Sequence, residues 1–425
     1  MKELSLHYIW QHQLFFSTNL KTTSGEKISI KDKGEYNQNS GPDYFNGKIY
    51  IEGILFAGNI EIHLLTSDWN KHRHDSDPSY DNVILHVVFE HDKEIKNSKG
   101  IIIPTLELKF ILFPDLTVLK KPVNISVLKQ PICKNNSVLI EDALQKEWLQ
   151  ELYQKRAFNK VNEVQRIYDS TNKNIEETIY LVAAKSFGFN INSVAFELLV
   201  KNLPLNLIKE FLDDDIKIDA VFFGVAGFLN QDDLDDYHCL LKREFNKLKD
   251  LYQLNTLNNS VWKFSRMHPQ NFPTIRIAQF VQFIKIIHLV SEALNDENSY
   301  SFWKEMLQLK LTAYWESHYY FSRKTKSGKN LFGNNSINLI IINSIVPLIL
   351  FNSKLKSSKN LYSNALEIMK STMPEKNTIT KKFIDIICKP QNGIDSQALN
   401  YLYKDLCLKS ACINCLIGKK ILNLS

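Results

Sequence analysis

The sequence predicts an α+β protein: a mixed sheet with flanking helices over residues 1–130, then a mainly α-helical domain over 131–425 that carries a cysteine cluster near its end. Two textures predict it. Up to about Pro122 the chain offers short alternating segments rich in β-branched residues and punctuated by Gly, Asn and Asp. From about Ile140 apolar residues recur every three or four positions, the period of a helix face.

In chain order, His7 to Leu20 reads as an opening helix with Tyr8, Trp10 and Phe15 among its bulky members. "KISIKDKG", "GKIYIEG", "GNIEIHLL", "NVILHVVFEHD" and "IIIPTLELKFI" read as a sheet of about five strands. "SDWNKHRHDSDPSYD", between the third and fourth, holds a loop or a short helix. A long surface helix follows over Glu141–Ser170, and then shorter helices separated by Gly, Asn and Pro signals. "INLIIINSIVPLILF" (337–351) is too short and too polar to span a bilayer and reads as a buried helix.

Composition sets the class. With 44% hydrophobic and 23% charged residues the chain is an ordinary globular protein. The start, "MKELSLHYIWQHQLFF", lacks the pattern of a signal peptide, so a cytoplasmic protein with no membrane partner is expected. The net charge of +6 is uneven: residues 353–425 hold 12 Lys and 5 acids, leaving about −1 for the rest. Such a Lys-rich stretch can attract a polyanion, or can simply be a solvated surface. Oligomeric state is not legible.

The chemistry concentrates in the hairpin "GPDYFNGKIYIEGILFAGNIEIHLL". Side chains alternate along a strand, so Ile60, Ile62 and Leu64 face one way while Glu61 and His63 face the other. Asp43 and Glu61 are 18 positions apart, a separation that hairpin pairing cancels. Two carboxylates brought together repel unless a cation sits between them, and hard oxygen donors suit Mg²⁺ or Mn²⁺. Such an ion activates water and steadies charge on a phosphoryl group. Otherwise Asp43 caps a turn and Glu61 is a solvated strand residue.

"Gly41-Pro42-Asp43", a strand and then "Glu61-Ile62-His63" resemble the signature of the PD-(D/E)XK nucleases. The resemblance implies a restriction-endonuclease-like domain, metal coordination by Asp43, Glu61 and the carbonyl of Ile62, and Glu35 as a stand-in for the helix Glu of that superfamily. His63 stands where the superfamily has Lys. A histidine there can serve as base or metal ligand, but it holds a positive charge less firmly.

Four of the eleven histidines, His63, His72, His74 and His86, fall within 24 positions. With Trp69 beside them they are candidates for holding a scissile phosphate, or for a borderline metal such as Zn²⁺. Hydrogen-bonded structural histidines are the bland alternative. The wider stretch, with "CINCLIG" near the end, resembles a bacterial family of unknown function over nearly the whole chain.

Without a secretory signal the six cysteines are expected to be reduced. Cys407-x₄-Cys412-x₂-Cys415 has the spacing of half a metal site, and Cys133 is the best fourth ligand, for Zn²⁺ or a [4Fe–4S] cluster. One remote cysteine plus three near the end resembles the iron–sulfur staple of RecB-like nucleases, although there the lone cysteine precedes the nuclease signature. Buried small hydrophobes are the alternative. "WKFSRMHPQNFPTIRIAQF" offers Arg266, His268, Asn271 and Arg276 as a secondary phosphate candidate, against a Pro-pinned structural loop. The leading expectation is therefore a Mg²⁺- or Mn²⁺-dependent nuclease acting on DNA or RNA, with Asp43, Glu61 and His63 catalytic. An inactive nucleic-acid-binding or scaffold protein and a zinc hydrolase built on the histidines are its competitors.

Overall fold

The computed structural model describes residues 2–37, 39–113, 133, 141–231, 234–265, 267–325, 332–384, 386–409 and 411–421. It is a mixed α+β molecule with a curled mixed sheet and a largely helical remainder. Two compact units divide the chain. The first comprises residues 1–148, 381–389 and 399–425, the second 149–380 and 390–398.

The first unit opens with α1 (Glu3–His12). This helix starts earlier and stops sooner than the predicted His7–Leu20. Gln13 adopts a left-handed conformation, and its N–H returns to the carbonyls of Ile9 and Trp10, which closes the helix. Phe15 then enters a bridge with Leu112. The sheet contains β1 (Ile28–Asp32), β2 (Glu35–Tyr36), β3 (Tyr44–Ile51), β4 (Ile54–Leu65), β5 (Val83–Glu90) and β6 (Thr105–Glu107). Its order is β1-β3-β4-β5-β6, with β2 also on β3. Strands β1 to β4 pair antiparallel, whereas β4–β5 and β5–β6 are parallel. All five predicted segments are strands. The sixth, β2, is two residues long and shows no alternation to read.

Two turns in this sheet depend on glycine. Glu52 and Gly53 both have positive φ (47° and 82°), the requirement of a tight two-residue hairpin turn between β3 and β4. Gly58 serves instead for close approach: a Cβ there would lie 2.5 Å from the Asn82 carbonyl oxygen and 2.5 Å from Ile84 Cγ2, so β5 can draw up to β4 only against glycine.

Both faces of β4 are covered. Ile60 and Ile62 join Leu6, Ile9, Trp10, Leu85 and Val87 in the main core beneath α1. The opposite face is roofed by the parallel crossover from β4 to β5, residues 66–82. It contains the short helix α2 (Asp68–Lys71), and its Trp69 and Tyr80 cluster with Val83 of β5 and with Ile95 and Ile103 beyond that strand. Parallel strands require a crossover of this kind, and here the crossover is what brings polar side chains over the sheet.

The second unit is helical. Its longest apolar helix, Asn334–Lys356, has length and composition enough to cross a membrane, yet 83% of its most apolar window is buried inside the protein. It widens to π geometry over Ile341–Ile345, immediately before Pro347, whose ring cannot donate to the carbonyl four residues back. Arg276, on the helix Pro273–Lys285, is buried. It donates to Gln279, Asn271 and Ser336 and lies over Phe189, so it holds together its own neighbourhood and is not a free phosphate ligand. Arg266 lies outside the described residues.

Candidate metal centre

The loop ahead of β3 is built to present Asp43. The Asn37 side chain donates to the carbonyls of Asn39, Ser40 and Pro42 at 3.0–3.1 Å, and the Asn37 N–H donates to the Asp43 carbonyl at 2.8 Å. The two acids predicted from the hairpin then meet. The Asp43 N–H donates to Glu61 Oε2 at 3.0 Å, and the Ile62 N–H donates to Asp43 Oδ2 at 2.9 Å. Asp43 therefore takes up a β4 amide just before β3 begins. Ile62 itself contributes its side chain to the core.

Each carboxylate has one oxygen left, and the two point to different partners. Asp43 Oδ1 is 3.8 Å from His7 Nε2, on α1. Glu61 Oε1 is 3.3 Å from His74 Nε2 and 3.6 Å from His63 Nε2. His63 Nε2 lies 3.0 Å from His72 Nδ1, and His63 Nδ1 lies 2.9 Å from His86 Nε2. The ligand nitrogens of His63, His72 and His74 all fall within 4.8 Å of one another, the one such group of three among the described residues. Donors on a single tetrahedral zinc-like ion with ~2.0–2.1 Å bonds sit about 3.3–3.4 Å apart. The His63–His72 pair, at 3.0 Å, is close to that value, and the other two nitrogen pairs of the trio lie within 4.8 Å.

The roof elements explain the convergence. Arg73 has a positive φ of 63°, which turns the chain so that His72 and His74 both come over the sheet. Asp68 accepts from the Leu65 N–H at 3.0 Å and fixes the start of α2. Trp69 is buried, donates through Nε1 to the Lys96 carbonyl and packs on His74 and His86, so it forms a wall of the cluster. Tyr80 stacks on His74 at 3.7 Å between ring centroids. His63, His74 and His86 are buried; His72 is exposed and marks the mouth.

Electrostatics fit a cation. Burial, then the neighbouring His86, His72 and His74, push His63 down to about 2, and burial takes His86 to about 3 and His7 to about 4. These imidazoles are neutral, the form that binds metal. Burial raises both carboxyls, with the Glu61 charge adding to the effect on Asp43 and the Glu3 charge to that on Glu61. His74 Nε2 is fully buried and forms no aligned hydrogen bond, although Glu61 Oε1 is 3.3 Å away. That leaves Nε2 of His74 unengaged beside the Glu61 oxygen. In the tautomer in which His63 donates from Nδ1 to His86 Nε2, Nε2 of His63 is left as a bare lone pair, and the proton of His86 sits on its buried Nδ1, which has no hydrogen-bond partner.

Two residues escaped the sequence reading. Glu3 and His7, one helical turn apart on α1, both face the site: Glu3 acts electrostatically on His72, Asp68 and His74, and His7 approaches Asp43. The i, i+4 spacing on an amphipathic helix was the available signal. Glu35, in contrast, is exposed on β2, paired with Phe45.

The molecule is thus an α+β protein whose sheet carries a buried carboxylate–histidine cluster. It belongs to the family described as protein of unknown function (DUF2851), whose model matches residues 3–378. The match takes in the acids, the histidines and Cys133 and ends before Cys407, Cys412 and Cys415. No curated protein and no solved structure matches the chain.

Proposed function

We propose that the first unit is a metal-dependent hydrolase of phosphodiester bonds, with His63, His72 and His74 holding one divalent transition-metal ion. The observation that carries this reading is the convergence of three imidazole nitrogens, those of His63, His72 and His74, with Glu61 Oε1 beside two of them. An ion in that position supplies a water of lowered pKa and offsets charge developing on a phosphoryl oxygen. Glu61, held through Oε2 by the Asp43 amide, directs Oε1 at the same space and takes the proton. His86 fixes the ring of His63 from behind, and His72 borders the opening through which substrate enters.

The phosphodiester assignment, and with it the restriction-endonuclease-like reading of this unit, rests on the order of the parts: an acid on the opening helix (Glu3), Pro42-Asp43, and Glu61-x-His63 on the next strand. The same order supports a second reading. Asp43 and Glu61, linked through the Asp43 and Ile62 N–H groups, would hold Mg²⁺ or Mn²⁺ between them, with the histidines orienting water. Metal dependence separates the two. The protein stripped of metal is assayed on single- and double-stranded DNA and on RNA after addition of Zn²⁺, Co²⁺, Mn²⁺ or Mg²⁺. The first reading expects Zn²⁺ or Co²⁺ to restore cleavage and His74→Ala to abolish it; restoration by Mg²⁺ that His74→Ala leaves untouched favours the second. Salt-sensitive binding with no cleavage in any metal would identify a nucleic-acid-binding scaffold.

A further inference from the structure

The second unit holds a cleft of about 580 Å³ in which the histidine centre has no part. Pockets that enclose a small organic ligand measure roughly 300–1,000 Å³. Segment 262–272, conspicuous in the sequence for its aromatics, gives Trp262, Phe264 and Phe272 to the walls. The hairpin of β7 (His318–Tyr320) and β8 (Arg323–Lys324) gives Tyr320 and Arg323. Trp262 is buried, whereas Phe264, Phe272 and Tyr320 are half-buried. Phe264 stands nearly perpendicular to Phe272 and Tyr320, at 5.1 and 5.8 Å between ring centroids. A core would pack such rings to closure; these stand around open space.

Each wall is held from behind. Gly227, at φ 83°, lies so close to the chain ahead of Trp262 that a Cβ would be 2.3 Å from the Leu257 carbonyl oxygen. The Trp262 Nε1–H donates to the Ala226 carbonyl at 2.8 Å. Asp235 accepts from the Ser322 N–H at 2.6 Å and from the Tyr314 hydroxyl at 2.5 Å, which pins the hairpin turn. Gln231 Nε2 donates to the Tyr320 hydroxyl at 3.0 Å. The rings are thus set before a ligand arrives, and binding need not order them.

Polar groups narrow the class of ligand. Gln231 and Asn259 put two carboxamides on the wall, each with a donor and an acceptor side by side, the pattern that pairs with the edge of a nucleobase. Asn259 Oδ1 is sealed from water and lacks a hydrogen-bond partner, an uncommon state for a buried acceptor; a ligand that brings a donor accounts for it. Arg323 is exposed at the rim, its guanidinium 5.8 Å from the Tyr320 ring centroid, where it can meet a phosphate. A purely apolar ligand would leave both amides unmet, and an inorganic anion would leave the rings unused.

We infer that this cleft binds one nucleotide, with its base among Phe264, Phe272 and Tyr320, the edge of the base on Gln231 and Asn259, and its phosphate at Arg323. The nucleotide comes either free or as part of a single strand, since the same contacts recognise both. The site lies wholly in the second unit and stands whether or not the histidine centre hydrolyses anything.

The test uses the full chain with a chelator present, so that any metal chemistry at the histidines is silent. Nucleoside 5′-monophosphates, the matching nucleosides, ribose 5-phosphate and short unstructured oligonucleotides are titrated by calorimetry. The expected result is saturable binding of at least one monophosphate, with ribose 5-phosphate far weaker. Tyr320→Ala weakens that binding by about 5–150-fold. Arg323→Ala, at an exposed position that folding does not need, weakens the monophosphate and leaves the nucleoside unchanged. The His63→Ala/His74→Ala variant binds as the wild type does, so this site and the hydrolytic centre are read independently. An oligonucleotide bound more tightly than the monophosphate, with the same dependence on Tyr320 and Arg323, identifies a single strand as the source; one bound no more tightly identifies the free nucleotide. No binding of any nucleotide or oligonucleotide at millimolar concentration, ribose 5-phosphate bound as tightly as a nucleotide, or affinity unchanged in both Tyr320→Ala and Arg323→Ala would overturn the inference.

Discussion

At the scale of single residues, Glu61 is the hinge of the site, because its two oxygens do different work. Oε2 accepts from a backbone amide, and Oε1 faces the imidazoles. Glu61→Gln keeps an acceptor for the Asp43 N–H but removes the base, so cleavage is expected to fall by roughly 10²–10⁴-fold with metal affinity nearly unchanged. Asp43 is different in kind. Asp43→Ala leaves the Ile62 N–H without its acceptor and should cost about 1–3 kcal/mol in chemical denaturation, whereas Asp43→Asn, which restores an oxygen, should recover most of it. The acids and histidines of β4 were legible because strand alternation assigns their face without further information. Glu3 and His7 were not: a Glu and a His one turn apart describe many surface helices, and only the packing of α1 on β4 turns them toward the site.

At the scale of elements, the site depends on how closely β5 lies against β4. Gly58→Ala places a methyl against the Asn82 carbonyl and Ile84, pushing the strands apart and separating His86 from His63. A loss of about 1–3 kcal/mol is expected, with metal binding weakened even though no ligand is changed. In the second unit, the helix Asp215–Val225 buries Asp219, which accepts from the Tyr237 hydroxyl at 2.7 Å and the Trp315 Nε1–H at 3.1 Å. Burial raises its pKa from 3.8 to about 7 against the pull of those donors. The unfolded chain gives up this proton near pH 4 and the folded chain retains it until about 7, so stability is highest at the acid end and declines as pH rises through that window. The decline is on the order of 4 kcal/mol at most. Asp219→Asn should flatten that part of the stability–pH curve; an unchanged slope would exclude Asp219 as its source. The sequence announced the strands well, since their β-branched residues and turn punctuation are local signals. It misplaced the opening helix because Tyr8, Trp10 and Phe15 look alike as apolar residues, and the left-handed Gln13 that ends the helix carries no Gly or Pro to mark it.

At the scale of the whole molecule, residues far apart in order complete the first unit: segments 381–389 and 399–425 belong with residues 1–148. Composition marks where helical texture begins, but it has no sign for the return of a later segment to an earlier core. The cysteines were the one local hint, since three of them needed a fourth partner from elsewhere. A ligand that binds only the folded state stabilises it by mass action. Zinc at 100 times its Kd should therefore add about 2.7 kcal/mol to the first unit, and a chelator should take it away. The most direct test of the central claim is calorimetric titration of Zn²⁺ into metal-stripped protein carrying Cys412→Ser and Cys415→Ser, which removes thiol sites from the count. One equivalent bound tightly, and lost when His63 and His74 are both replaced by Ala, is the predicted result. No binding to the intact histidine cluster, or the same binding without those two imidazoles, would contradict it.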